Sequence, residues 1–420
     1  MRPNPVAQRG RCTSPRLVVA PSLHVPEAAA SVVFDVVRVR GPIARETIAR
    51  LTSLSVATVN RQVGRLLENG LLRERADLSV AGAVGRPRIP VQVNHEDFLT
   101  LGIHIGARMT SIVATDLLGR ALDVLEVPTP QDHSAVVLTK LSGTAKRYLR
   151  RWHRRRVLWA GVAVGGIVDS ASGTVTHARL GWVDAPVGPV LARALGLRVS
   201  VASHVDAMAA AELLVGPRRG AKSQTTTLYV YARETVGYAL VIGGKVHTPG
   251  SGPGSIAGLP AYSELLDGNG TLESTVSDGA VLAAAKRLRL LAGDASGSTM
   301  AELYRAARTG SPGARQLLDE RARVLGESLA LLRDVLNPDD IVVGGQAFTG
   351  YPESFAVIQE SFSRTAVLPA REIRTTTFGD HVQQAGAGVV SLSALYADPV
   401  GSLRRTRLDA VTDASDDTTV

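Results

Sequence analysis

Apolar residues change their spacing at Leu99, and that change constrains the fold of this 420-residue chain more than any other feature. Before it they recur every three and four residues. Val32, Val33, Val36 and Val37 form one face, Ile43, Ile48 and Leu51 a second, and Val56, Val59, Val63, Leu66 and Leu67 a third. That period belongs to amphipathic helices. From Leu99 the period is two: Leu99, Leu101, Ile103 and Ile105 alternate with Thr100, Gly102 and His104. Further apolar runs at 157–168, 226–243 and 341–345 are separated by helical stretches around 188–196, 205–215, 279–291, 299–308 and 313–336. A small helical head followed by a large α/β body is the predicted architecture.

Charge divides at the same place. Residues 1–98 carry 14 arginines against 8 acids, a net of +6 out of +9 for the whole chain. An excess of that kind on a small module is the footprint of nucleic-acid binding, although a solvated basic tail has the same composition. The longest apolar run, 157–168, spans 12 residues and holds three glycines, too short to cross a bilayer. No apolar stretch follows the arginines at positions 2, 9 and 11, so no secretory signal is visible and a cytoplasmic protein without membrane contact is expected. The single cysteine, Cys12, excludes an internal disulfide framework and any multi-cysteine zinc site.

Residues 1–25, rich in Pro, Arg and Ser, are expected to form a disordered basic arm. Residues 26–98 then give helix, helix–turn–helix and hairpin in that order. Gly41-Pro42 separates the first two helices, Thr52-Ser53-Leu54 makes the tight turn, Ser55 is suited to cap the third helix, and Asn69-Gly70 ends it. Strands are expected at 71–74 and 89–93, around a loop that holds Gly82, Gly85, Arg86, Pro87 and Arg88. This is the pattern of a winged helix-turn-helix. Ser55, Thr58, Asn60, Arg61, Gln62 and Arg65 are the candidate DNA contacts of the third helix, able to reach phosphates or base edges in a major groove. Arg86 and Arg88 are the candidates for the wing, suited to a minor-groove or backbone contact.

The winged module followed by LGIHIGARMTSIVATDLLGRAL (101–122), GVAVGGIVDSASGTVTHARLGW (161–182), VASHVDAMAAAEL (201–213) and LNPDDIVVGG (336–345) resembles the ROK family of sugar-responsive repressors and sugar kinases. The likeness covers roughly residues 25–398. It implies an α/β body at 99–398 with the two-lobed actin-like (ribonuclease H-like) fold of the kinases, serving effector binding and oligomerisation. Residues 399–420 are left as a polar tail. In the kinases a cleft between the lobes holds ATP and sugar.

Departures from the family pattern carry as much information as the matches. The first phosphate turn, Asp-x-Gly-Gly-Thr in the kinases, is His104-Ile105-Gly106-Ala107-Arg108 here. The second, a Gly-Thr-Gly-Ile-Gly type of loop, reads Arg233-Glu234-Thr235-Val236-Gly237. Close backbone approach to a phosphate needs residues without Cβ, and a carboxylate at Glu234 repels it. The Asn-Asp pair that holds the catalytic base is Ser203-His204. The family's zinc-binding His and three Cys have no counterpart in Gly254–Gly258 or Gly268–Glu273, so no cofactor is expected, neither zinc nor nucleotide. His247 nearby is read as structural or exposed. Gly250–Gly254 is a loop rather than a dinucleotide fingerprint, because Pro253 interrupts it.

The resemblance maps the family positions that face sugar hydroxyls onto Arg179, Ser203-His204, Ser255, Gly258 and Glu273. Of these positions Glu273 alone keeps the family residue. Asp206 is either a helper in the site or a carboxylate at a helix start. Loss of two carboxylates and gain of Arg179 and His204 point to an anionic sugar, such as an amino-sugar phosphate, as effector; the alternative is a sugar effector with Arg179 facing solvent and His204 packed beside the Trp182 loop. The basic stretch from Lys146 to Arg156 is read as a solvated helix end. The expected protein is a DNA-binding transcriptional regulator of carbohydrate genes, a repressor with a catalytically dead kinase-like sensor. As a homodimer or homotetramer it would read a pseudo-palindromic operator in double-stranded DNA. The alternatives are a residual sugar kinase with a DNA-binding head and an effector-independent DNA binder.

Overall fold

The computed structural model describes residues 17–78, 89–217, 225–249, 252–291 and 299–403. Helices α1 (Ala29–Arg40), α2 (Arg45–Thr52) and α3 (Val56–Glu68) enclose Val33, Phe34, Val37, Ile48, Val59, Val63 and Leu66, all at most 1% exposed. Strands β1 (Leu72–Glu74) and β2 (Val91–Val93) pair antiparallel beside them, with Leu72 opposite Val93. Two expected core positions of the head lie outward instead: Leu51 and Val56 are about half exposed, at the end of α2 and the start of α3.

The first lobe of the body follows. Strands β3 (Phe98–Ile105), β4 (Met109–Thr115) and β5 (Ala121–Pro128) form a meander, and helix α4 (Ser134–Leu149) leads to β6 (Arg156–Val164). A small antiparallel sheet of β7 (Ile167–Asp169), β8 (Thr174–His177) and β9 (Trp182–Ala185) comes next, then α5 (Val187–Leu195) and β10 (Val199–Ser203). The main sheet has the order β10-β6-β3-β4-β5, with β10 and β3 parallel to β6. Helix α6 (His204–Leu214) then crosses to the second lobe.

That lobe contains β11 (Thr226–Ala232), β12 (Val236–Ile242), β13 (Lys245–Val246), α7 (Leu272–Val276), α8 (Asp278–Arg287), α9 (Met300–Arg308) and α10 (Pro312–Leu336). It is completed by β14 (Asp340–Gly344), the single turn α11 (Gln346–Thr349), α12 (Phe355–Thr365) and β15 (Ile373–Thr375). Its sheet order is β13-β12-β11-β14-β15. Helix α13 (Val382–Ala397) returns to pack on α6 and the first-lobe sheet. Close approach of α13 rests on glycine: a Cβ at Gly161 would lie 2.1 Å from the Ser391 nitrogen, and one at Gly102 2.7 Å from the Ala387 carbonyl carbon. Mixed parallel sheets flanked by helices fit the predicted α/β body.

Both ends of the described chain are more ordered than expected. The arm does not run loose up to residue 25. Val19 N–H donates to the Val199 carbonyl and Val199 N–H to the Leu17 carbonyl, at 2.9 and 2.8 Å. Farther on, Val25 N–H donates to Gly244 and Val246 N–H to Leu23, both at 2.9 Å. One segment thus extends β10 of the first lobe and β13 of the second, with Leu23 only 5% exposed. Backbone groups at two sheet edges find partners there, and apolar Val18, Leu23 and Val25 find cover, which outweighs the local Pro-rich composition. At the other end residues 399–403 are helical, with Val400 and Leu403 in the core, so the tail starts later than 399.

Candidate functional site

Two places bring the sequence candidates together. The first is α3. Ser55 caps it, its hydroxyl accepting from Thr58 N–H at 3.1 Å. Ser55, Asn60, Arg61 and Arg65 are exposed and Thr58 half-buried. Gln62 is a correction: it is 6% exposed and lies on the inner face with Val59, Val63 and Leu66, where its Oε1 accepts from Arg65. A residue three after Val59 and four before Leu66 shares their face, so ordinary helix geometry places it inside. Val56 and Ala57 are exposed at the start of α3 and add an apolar edge of the kind that meets a thymine methyl. Arg86 and Arg88 lie outside the described residues.

The second place is the cleft between the lobes, with a volume of about 360 Å³, in the range of small-molecule sites. Its floor is imidazole. His104 is the next-to-last residue of β3, His204 opens α6, and their rings are parallel with centroids 6.0 Å apart. Tyr231 of β11 tilts against His204 at 5.3 Å. His177 closes the side, its Nδ1 accepting from Leu180 N–H at 3.3 Å. Gly165 is needed here, since a Cβ would stand 3.0 Å from His177 Nε2. Burial holds His104 down to about 3 and His204 down to about 4, so both rings are neutral at physiological pH. His104 Nε2 is buried without a partner among the described residues. Gln383 at the start of α13 donates to the Tyr231 hydroxyl at 2.7 Å and accepts from Arg233 at 3.0 Å.

The rim carries the charge. Arg179, after β8, donates to Glu273 Oε1 of α7 at 2.7 Å, and Glu273 Oε2 accepts from Val236 N–H at 3.2 Å. Arg108 of the first lobe faces Glu234 of the second at 3.9 Å. Both pairs join one lobe to the other. Exposed Ser255 lines the cleft, its hydroxyl accepting from Ala257 N–H. Asp206 stands apart from the other effector candidates, buried in the first turn of α6 and not on the cleft wall, and burial raises it to about 7. The cation on which an anionic effector was expected is therefore already matched by Glu273, and the imidazole beside it is uncharged.

The ROK family model matches residues 100–392 of the sequence. The chain belongs to the ROK family. It is 65% identical to Transcriptional regulator Rv0485 of Mycobacterium tuberculosis (strain H37Rv) over 405 residues, 94% of this chain and 92% of that one. It is 25% identical to the DNA-binding transcriptional repressor Mlc of Escherichia coli K12, over 89% of this chain and 95% of the repressor. Among solved structures, a ROK family transcriptional regulator homologous to E. coli Mlc has a TM-score of 0.70 at 22% identity, covering 90% of this chain and 97% of its own. That likeness establishes the two-lobed ROK fold with its N-terminal head.

Against that ROK frame, the two segments that meet nucleotide phosphates in the kinases meet each other here. Arg108 ends the first and Glu234 sits in the second, 3.9 Å apart, so the second segment brings a carboxylate in place of the glycines that let a backbone approach a phosphate. These residues do not fit ATP. The segments that carry the family's zinc-binding His and three Cys, 254–258 and 268–273, hold neither residue type here, and their one carboxylate, Glu273, is engaged by Arg179 and Val236 N–H. That donor set does not fit zinc. Among the described residues, no three His, Cys, Asp or Glu side chains are placed to hold a metal, and no helix is long and apolar enough to cross a membrane. The basic stretch after α4 is partly engaged: Arg151 pairs with Asp123 at 3.0 Å, and Arg155 donates to the His95 carbonyl at 2.9 Å. His177, Tyr231 and Gln383 are the cleft residues that sequence reasoning missed, and His104 was placed in the phosphate-turn segment without being named an effector contact.

Proposed function

We propose that this protein is a non-enzymatic transcriptional regulator, a repressor of carbohydrate genes, whose α3 reads double-stranded operator DNA and whose cleft senses a sugar-type effector. The observation that carries the reading is the pairing of a capped recognition helix, with Asn60 and Arg61 exposed, and a kinase-type cleft whose phosphate loops are occupied by Arg108 and Glu234. Likeness over 94% of the chain to a relative named a transcriptional regulator supports it. As a symmetric homo-oligomer it would bind a pseudo-palindromic site. No catalytic residue and no cofactor is assigned. The paired rim and the neutral floor favour an uncharged sugar over its phosphate, reversing the expectation from Arg179 and His204 alone.

Genome-wide DNA capture with the purified full chain tests the reading. Enrichment of a two-fold related sequence upstream of carbohydrate genes is expected, and enrichment without any common sequence would overturn it. On the captured site Arg61→Ala should cost about 1–3 kcal/mol and relax preference at one base pair. Matched sugars and their 6-phosphates, added to the bound operator, decide the effector class. ATP consumption with the same sugars should stay at background.

A further inference from the structure

The two central helices both run from the cleft to the head. Helix α6 begins at His204 on the cleft floor and ends at Leu214, about 15 Å away at 1.5 Å per residue. Every residue of α6 from Val205 onward is buried. Helix α13 has Gln383 on the cleft wall in its first turn, and Tyr396 and Ala397 at its far end. The two helices pack on each other over their length, with a Cβ at Gly386 brought within 3.1 Å of the Ala207 backbone. At their far ends both meet one side chain of α1. Arg38 donates to the Leu214 carbonyl at 2.8 Å and lays its guanidinium over the Tyr396 ring at 4.5 Å. Asp35 pairs with it from within α1. Ser31, two turns earlier, donates to the Ala397 carbonyl at 2.5 Å.

Resting on the regulator reading above, we infer that Arg38 is a positioning residue: it grips the ends of α6 and α13 and sets the head according to what occupies the cleft. Its side chain is 4% exposed, so it has no surface left for a DNA phosphate. A ligand on the floor touches the first residue of α6 and the first turn of α13. Both helices are close-packed and shift as units, because a dense core has no room to absorb a displacement locally. A guanidinium fork that donates and stacks at once transmits either motion to α1. The segment 17–25, which bonds to both lobes and enters α1 within four residues, holds the same helix from its other end.

A double-mutant cycle between the two ends of the path tests this without an identified effector. His204→Ala and Arg38→Met are made singly and together in the full chain, and amide hydrogen exchange of α1 is measured in all four proteins. His204→Ala should change α1 exchange by at least about threefold when Arg38 is present and by less than about twofold when it is Met, since independent distant sites add. Gln383→Ala, on the other helix, should behave the same way. Arg38→Lys keeps a donor for Leu214 but loses the stacked fork, and should give an intermediate response; it also replaces Arg38→Met should that variant not fold. Equal responses in both backgrounds, or none with Arg38 intact, overturn the inference. Operator affinity on the captured DNA should follow the same cycle. Failure to capture specific DNA defeats the regulator reading instead, while the exchange cycle still decides the role of Arg38.

Discussion

The floor of the cleft and its rim handle polarity by different means. On the floor, His104 and His204 are driven neutral by burial, and one buried nitrogen of His104 has no partner among the described residues. On the rim, the guanidinium groups of Arg179 and Arg108 meet Glu273 and Glu234 of the opposite lobe. Arg179 is 40% exposed and Glu273 28%, so water screens that pair, whereas on the floor His104 is buried and His204 half-buried. A floor of uncharged rings offers an incoming anion no cation. On this wet rim Arg179 is already held by Glu273, while exposed Arg108 faces Glu234 only at 3.9 Å. On the proposed reading, Arg and His in place of Asn and Asp therefore favour a neutral sugar over its phosphate.

The largest test of the floor side falls on Asp206, buried two residues beyond half-buried His204. Burial raises its carboxyl to about 7, above the ordinary 3.8, so the folded state holds a proton that the unfolded state releases. Its cost is absent at pH 4, grows as pH rises through the window between those values, and is complete above 7. Asp206→Asn should therefore stabilise the protein by on the order of 4 kcal/mol at pH 8 and by under about 1 at pH 4, measured by denaturant unfolding. A variant no more stable at pH 8 would mean that the region is hydrated, and the contrast with the rim would collapse.

The next effect has the opposite sign. His204 falls from 6.5 to about 4, so the unfolded state takes up a proton first on acidification and stability drops between those two values. That loss is about 3 kcal/mol, and His204→Gln should remove it, while leaving stability at pH 8 within the usual range for a substitution at a cleft wall. His104, held at about 3, adds a second limb of the same sign. Asp206 opposes them over much of the same window. Unfolding measured from pH 4 to 7 in Asp206→Asn should consequently show a steeper acid limb than the parent. An unchanged limb in both variants would place the titrating groups elsewhere.

Much of this arrangement was legible in the chain, and the parts that were not share a cause. The Ser55 cap, the Val59–Val63–Leu66 stripe and the alternation from Leu99 are local patterns, and local patterns are what periodicity reports. Gln62 was misplaced by its polarity although its spacing put it inside. The segment 17–25 carries Leu17-Val18-Val19 and, flanking His24, Leu23 and Val25, short apolar patches that acquire meaning only beside β10 and β13, and those edges lie more than 170 residues away at Val199 and Lys245. Arg179 and Glu273 meet across 94 residues, and nothing local distinguishes an arginine awaiting a ligand from one already paired. Tyr231 and Gln383 come to the cleft on a strand and a helix far apart in the chain.

The smallest expected effect is at the rim, and it decides whether the rim is a screened pair or a latch. Arg179→Ala, Glu273→Gln and the double variant form a cycle whose coupling in unfolding free energy should be under about 1 kcal/mol, as for other exposed pairs. It should shrink as salt rises from about 50 to about 500 mM, on the order of the change in Debye length. Glu273→Gln keeps an acceptor for Val236 N–H, so the cycle reads the charge interaction and little else. A coupling above about 2 kcal/mol, insensitive to salt, would mean that the pair is dry and that the lobes are locked together through it. In that case opening the cleft requires breaking the pair, and the carboxylate of Glu273 becomes the group an entering ligand must replace. Freed from Glu273 in the Glu273→Gln variant, Arg179 is a cation facing a cleft, and the variant should then respond to a sugar 6-phosphate more strongly than the parent does. Parent-like preference for the neutral sugar in that variant would leave the floor, rather than the rim, as the part that chooses the effector.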